Sequence, residues 1–160
     1  MFAKRFIVGL MVLMSFLLVG CTSTTTTTSL TDGTSTLDYS DFDSLSDFNE
    51  VFNRRQSTYL VYVYSSYCTV CATIKDEVFS FAATFDDYPI YFFNAGLVAD
   101  SDYKQDYLDA IGQSTAQTPV MIVVKDNDFD KNNINQYLFI GAIKIRSAMT
   151  DMLNGAYPYW

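Results

Sequence analysis

Histidine is missing from this 160-residue chain, and cysteine occurs only three times, as Cys21, Cys68 and Cys71. A tetrahedral zinc site needs four nitrogen or sulfur ligands, and beyond Cys21 one copy of the chain offers two. Covalent haem attachment asks for His directly after a C-x-x-C pair, and Ala72 stands there. Neither a metal nor another cofactor is therefore expected. Positive charge is also scarce, with 10 Lys and Arg against 18 Asp and Glu. Nucleic acid is excluded as a partner, because phosphate contacts need clustered basic residues. Acidity of this degree reads as solvation.

What is present begins with an export signal. Lys4 and Arg5 precede a short apolar core from Phe6 to Val19. That core falls short of the roughly 20 residues that cross a bilayer as a permanent helix. Leu18-Val19-Gly20-Cys21 closes it and resembles a bacterial lipobox, which implies cleavage before Cys21 and acylation of that residue. A plain signal peptide or a short uncleaved anchor is the alternative. Loss of Lys4 and Arg5 takes the net charge from −8 to −10. Anionic headgroups repel such a chain, so membrane attachment should rest on lipid at Cys21.

Thr and Ser dominate positions 22–36, with Leu30 the one apolar residue. So polar a stretch cannot bury enough surface to offset its chain entropy and reads as a tether. The expected organisation is a signal over 1–20, a tether with lipidated Cys21 over 21–36, and one domain over 37–160. The expected location is the extracytoplasmic face of the cell membrane. Outside the cytosol no glutathione pool keeps thiols reduced, so Cys68 and Cys71 form either an exchanging or a stable disulfide.

Hydrophobic spacing supplies the elements. Leu45, Phe48, Val51 and Phe52 recur at helical spacing, with Ser44 or Ser46 available as N-cap. Tyr59-Leu60-Val61-Tyr62-Val63-Tyr64 is an unbroken β-favouring run, expected as a central strand covered on both faces. Cys71, Ile74, Val78, Phe81 and Phe85 mark the inner face of a helix. Ile90 to Phe93 predicts a second buried strand, and Tyr107, Leu108 and Ile111 the inner face of another helix. Val120 to Val124, then Gln136 to Ile140 after a polar hairpin loop, predict two more strands. Ile145, Met149, Met152 and Leu153 form a last amphipathic helix, stopped near Gly155. The order implies an α/β domain with a mixed, mostly four-stranded sheet and helices on both faces.

Three motifs then agree in register. An apolar strand leads to Cys68-Thr69-Val70-Cys71 at a helix start, Thr118-Pro119 precedes a buried strand, and Phe139-Ile140-Gly141-Ala142 precedes the final helix. Together they resemble the thioredoxin superfamily over about Leu45 to Gly155. Cys68, at the helix N-terminus where free N–H groups favour thiolate, is the expected nucleophile. Cys71, on the apolar face one turn on, is the expected resolving thiol. The resemblance implies a cis peptide before Pro119. It also implies pairing of the Thr118 backbone with an extended client segment, and places Tyr67 beside the nucleophile.

The implied activity is thiol–disulfide exchange with disulfide or dithiol protein clients, recycled by a membrane or secreted redox partner. The alternative is a binding or accessory lipoprotein whose disulfide is inert. Departures from the thioredoxin pattern are Tyr67 for Trp, Thr69-Val70 for Gly-Pro, and Tyr62 for a buried Asp. The last removes the usual proton acceptor for the buried thiol.

Two other segments are discounted. Asp126 to Asp130 begins like a calcium loop, but Lys131 stands where Gly is required and Tyr137 where the bidentate Glu belongs. Tyr157-Pro158-Tyr159-Trp160 reads as an apolar end folded on the last helix rather than a docking tail.

Overall fold

The computed structural model describes residues 36–98, 101–127, 129 and 137–156. The expected signal, the lipidation residue Cys21, nearly all of the tether and the 157–160 tail lie outside these residues.

Five strands form one mixed sheet in the spatial order β1-β3-β2-β4-β5. They are β1 (Ser44–Leu45), β2 (Tyr59–Tyr64), β3 (Ile90–Asn94), β4 (Val120–Val124) and β5 (Leu138–Ile140). Among the described residues three α-helices accompany them: α1 (Thr69–Thr84), α2 (Lys104–Ala110) and α3 (Ala142–Leu153). β2 pairs in parallel with β3 and antiparallel with β4, and all six of its residues are buried. Its unbroken apolar run follows from that position, since neither face meets water.

Side chains alternate across the strands and build two cores. Leu60, Tyr62, Tyr64, Phe92, Met121 and Val123 meet Cys71, Ile74 and Val78 of α1 and Ile145 and Met149 of α3. On the other face Val61, Val63, Phe93 and Ile122 meet Tyr107 and Leu108 of α2 together with Phe48 and Val51. Arg146 ties α3 to α1 through a forked pair with Glu77, with Nη2 to Oε1 at 2.6 Å and Nε to Oε2 at 2.7 Å.

One expectation is corrected. The spacing at Leu45, Phe48, Val51 and Phe52 does not make a helix. Leu45 lies in β1, which pairs in parallel with β3 as a fifth, edge strand, and only Phe48–Val51 turn, as a 3-10 helix. Its N-cap is Asp47, whose side chain accepts from the Asn49 N–H at 2.9 Å, rather than either serine. Ser46 is engaged instead by Glu50, which accepts its backbone N–H at 2.6 Å. A strand-to-turn unit buries Leu45, Phe48 and Val51 and half-buries Phe52, much as a helix would, so periodicity over so short a window does not separate them.

Upstream, residues 37–42 lie as a strap along the α1 core. Tyr39 stacks on Tyr64 with ring centres 3.8 Å apart, and Lys75 Nζ bonds Asp38 Oδ1 at 3.2 Å. Gly155, at φ 62°, follows α3 in the left-handed conformation that ends helices. The hairpin loop between β4 and β5 is described only in part, Asp128 and residues 130–136 lying outside the described residues.

Candidate active site

Cys68 is the N-cap of α1. Its extended backbone, at φ −87° and ψ 108°, turns the chain from the loop after β2 into the helix, and its sulfur accepts the Cys71 N–H at 3.0 Å. A side-chain acceptor at this place satisfies one of the helix's free N–H groups. The three-residue separation then brings Cys71 onto the inner face of the first turn. The two sulfurs are joined as a disulfide, with the Cα atoms 5.2 Å apart.

The two sulfurs differ in surroundings. Cys71 is 1% exposed within the α1 core, whereas Cys68 is half-buried at its edge. Next to Cys68, Tyr67 is 84% exposed and Val70 is also exposed. An incoming thiol or disulfide therefore meets Cys68 first, and Cys71 is reached only through it.

A second segment closes on the pair from the sheet. The Thr118–Pro119 peptide is cis, Pro119 is buried, and the Thr118 carbonyl oxygen lies 3.4 Å from Cys68 Sγ. The Pro119 carbonyl in turn accepts the Gly141 N–H at 2.9 Å, which brings the start of α3 to the same place. Gly141 has φ 85°, a left-handed conformation that glycine adopts without steric cost. Ile143, two residues on, is 83% exposed. The structure thus brings Cys68, Cys71, Thr118 and Pro119 together, with the exposed Tyr67 next to Cys68 in the chain.

A support for the loop is not visible in sequence. Asn94, at the end of β3, donates from Nδ2 to Ser66 Oγ at 2.8 Å, and its Oδ1 accepts the Gly96 N–H at 3.2 Å. Ser65 Oγ accepts the Tyr67 N–H at 3.3 Å. A Cβ on Gly96 would fall on Ser65 Oγ, with Ser65 Cβ only 3.2 Å away. This contact between two loops holds the approach to Cys68, and the one local clue is Gly96 after a polar strand end.

Tyr62 is fully buried on the α1 side of the sheet. Burial, followed by the neighbouring Tyr39 and Tyr64 hydroxyls, pushes its ionisation far above the ordinary tyrosine value. It cannot act as a carboxylate-like base near neutral pH.

No family model matches the chain, and no curated protein matches it. Solved structures do. Oxidized mitochondrial thioredoxin 3 from Saccharomyces cerevisiae aligns with a TM-score of 0.52 and 13% identity, over 73% of this chain and 97% of that one. A second match comes from a structure of the thiol resolving mechanism in yeast mitochondrial 1-Cys peroxiredoxin via glutathione/thioredoxin systems. It aligns with a TM-score of 0.50 and 14% identity, over 71% of this chain and 97% of that one. At such identities the likeness is one of fold.

Proposed function

We propose that this thioredoxin-like domain is an extracytoplasmic, lipid-anchored thiol–disulfide oxidoreductase that exchanges disulfides with protein clients. The observation that carries the reading is the asymmetry of the pair. Cys68 sits at a helix N-terminus at the protein surface, and Cys71 sits buried behind it within bonding distance. A disulfide meant only to staple would gain little here, because closing so short a loop removes little chain entropy.

In the reducing direction the Cys68 thiolate attacks a client sulfur, forming a mixed disulfide and expelling the other client sulfur as a thiolate. The Cys71 sulfur then attacks Cys68, restores the internal disulfide and releases the second client thiolate. Two electrons pass to the client, and its two sulfurs take up protons. The oxidising direction is the same sequence reversed. The Thr118 backbone beside Cys68 supports strand-like docking of the client, which recognises backbone and tolerates many sequences. Lipid on Cys21 is proposed to hold the domain at the membrane, where a membrane or secreted partner resets the pair.

Substitution tests it. Cys71→Ser should accumulate mixed disulfides with client proteins, separable on non-reducing gels, and Cys68→Ser should accumulate none. Equal trapping by both variants, or by neither, would contradict the assignment. Loss of membrane association in Cys21→Ser, with exchange by the purified protein intact, tests the anchor separately.

A further inference from the structure

The Tyr62 hydroxyl is fully buried and has no hydrogen-bond partner among the described residues. Its ring is held by Phe92, edge-on with centres 5.7 Å apart, and by Tyr64, stacked at 6.1 Å. The phenol therefore cannot swing out to water. A buried donor without an acceptor is costly, and folded proteins rarely keep one without a use.

The same core contains one group whose hydrogen-bonding capacity changes during the proposed reaction. Cys71 is the first inward residue of α1, and Tyr62 is the middle one of the three β2 residues that face this layer. In the closed disulfide the Cys71 sulfur is a poor acceptor. Opening the disulfide turns it into a thiol, or transiently a thiolate, in a core with no buried carboxylate among the described residues. A thiolate in apolar surroundings needs a donor.

We propose that Tyr62 is a redox-linked hydrogen-bond donor to Cys71, idle while the disulfide is closed and engaged once it opens. It is a positioning residue: it keeps its own proton, makes no bond to the client, and biases the pair toward the dithiol. The oxidised protein then carries the cost of an unpaired hydroxyl and the reduced protein does not. This inference rests on the pair being reversible, as proposed above.

The test is a redox titration of the full chain, purified in detergent, against dithiothreitol buffers, with thermal unfolding of each redox form. Tyr62→Phe should lower the equilibrium constant for reduction about tenfold, equivalent to roughly 30 mV. It should also raise the melting temperature of the oxidised form but not of the reduced form. Tyr62→Met, which removes the hydroxyl differently, carries the same expectation for the equilibrium constant should the Phe variant fold poorly. Tyr107 is the control, since its hydroxyl is also buried and unpartnered but lies on the opposite face of the sheet. Tyr107→Phe should stabilise both forms alike and leave the equilibrium constant unchanged.

An equilibrium constant within twofold of the parent, or a Tyr62→Phe response matching that of Tyr107→Phe, would overturn the inference. Exchange with a protein disulfide, assayed on the same samples, reads the proposed function independently of Tyr62.

Discussion

The carbonyl oxygen of Thr118 lies 3.4 Å from the sulfur of Cys68, a residue 50 positions earlier in the chain. The contact joins the turn before β4 to the first turn of α1. It leaves Cys68 with one side against the backbone of the sheet and the other open past Tyr67. In the proposed function, a client disulfide reaches Cys68 across this open side.

Tyr67 should therefore matter for exchange and not for folding. Its side chain is 84% exposed, so Tyr67→Ala should change stability by no more than about 0.5 kcal/mol. Exchange with a protein disulfide should weaken severalfold, through KM more than kcat. Denaturant unfolding and steady-state exchange kinetics check the two halves. Unchanged kinetics would remove Tyr67 from the docking surface.

Gly96 should be required by its contact with Ser65. The added methyl of Gly96→Ala meets Ser65 Oγ, and rotating that hydroxyl away gives up the bond from the Tyr67 N–H. Overpacking of this kind costs about 1–3 kcal/mol. Adding Ser65→Gly to Gly96→Ala should recover part of the loss, which a double-mutant cycle in urea measures as coupling. Additive losses would show that the two loops do not constrain each other.

Stability should fall off at both pH extremes for identifiable reasons. The Tyr39 backbone N–H, then Lys75, holds the Asp38 carboxyl below its ordinary value. The Ser46 backbone N–H is the leading cause of a lowered Glu50. Depressed carboxylates stabilise the fold above their unfolded values, and that contribution is lost as pH falls through the folded ones. Asp38→Asn combined with Glu50→Gln should flatten the unfolding profile between about pH 5 and pH 2.

At the alkaline end the sign reverses. Burial first, with the Tyr64 hydroxyl and Asp38 adding to it, pushes Tyr39 up to about 12. The folded strap keeps a proton that the unfolded chain releases near pH 10. Stability is then full below about pH 10 and declines as pH rises toward 12. Tyr39→Phe should reduce that decline. An unaltered alkaline profile would show that the strap does not hold the tyrosine as its stack on Tyr64 implies.

Much of the framework was legible because it is local. β2, β3 and β4 are unbroken apolar runs, and α1 and α3 carry helical stripes of Ile, Val, Phe and Met. The position of Cys68 followed from the change of period between Tyr64 and Ile74. β1 was not legible, because Leu45 enters the sheet through backbone pairing with Phe93, not through a pattern of its own. Neither was the strap: Tyr39 against Tyr64 and Asp38 against Lys75 are long-range contacts between residues that look ordinary alone. The Gly96–Ser65 contact was hidden for the same reason. Thr118-Pro119 read alone suggests only a turn, and its place beside Cys68 came from the resemblance.

Electron transfer between the pair and a protein disulfide tests the central claim most directly. Fully reduced protein, mixed with excess protein disulfide, should lose two thiols per chain while the client gains two. Peptide mapping should then find Cys68 joined to Cys71. Cys68→Ser should abolish the transfer. A reduced parent that keeps both thiols under these conditions, with no mixed disulfide formed, would contradict the account.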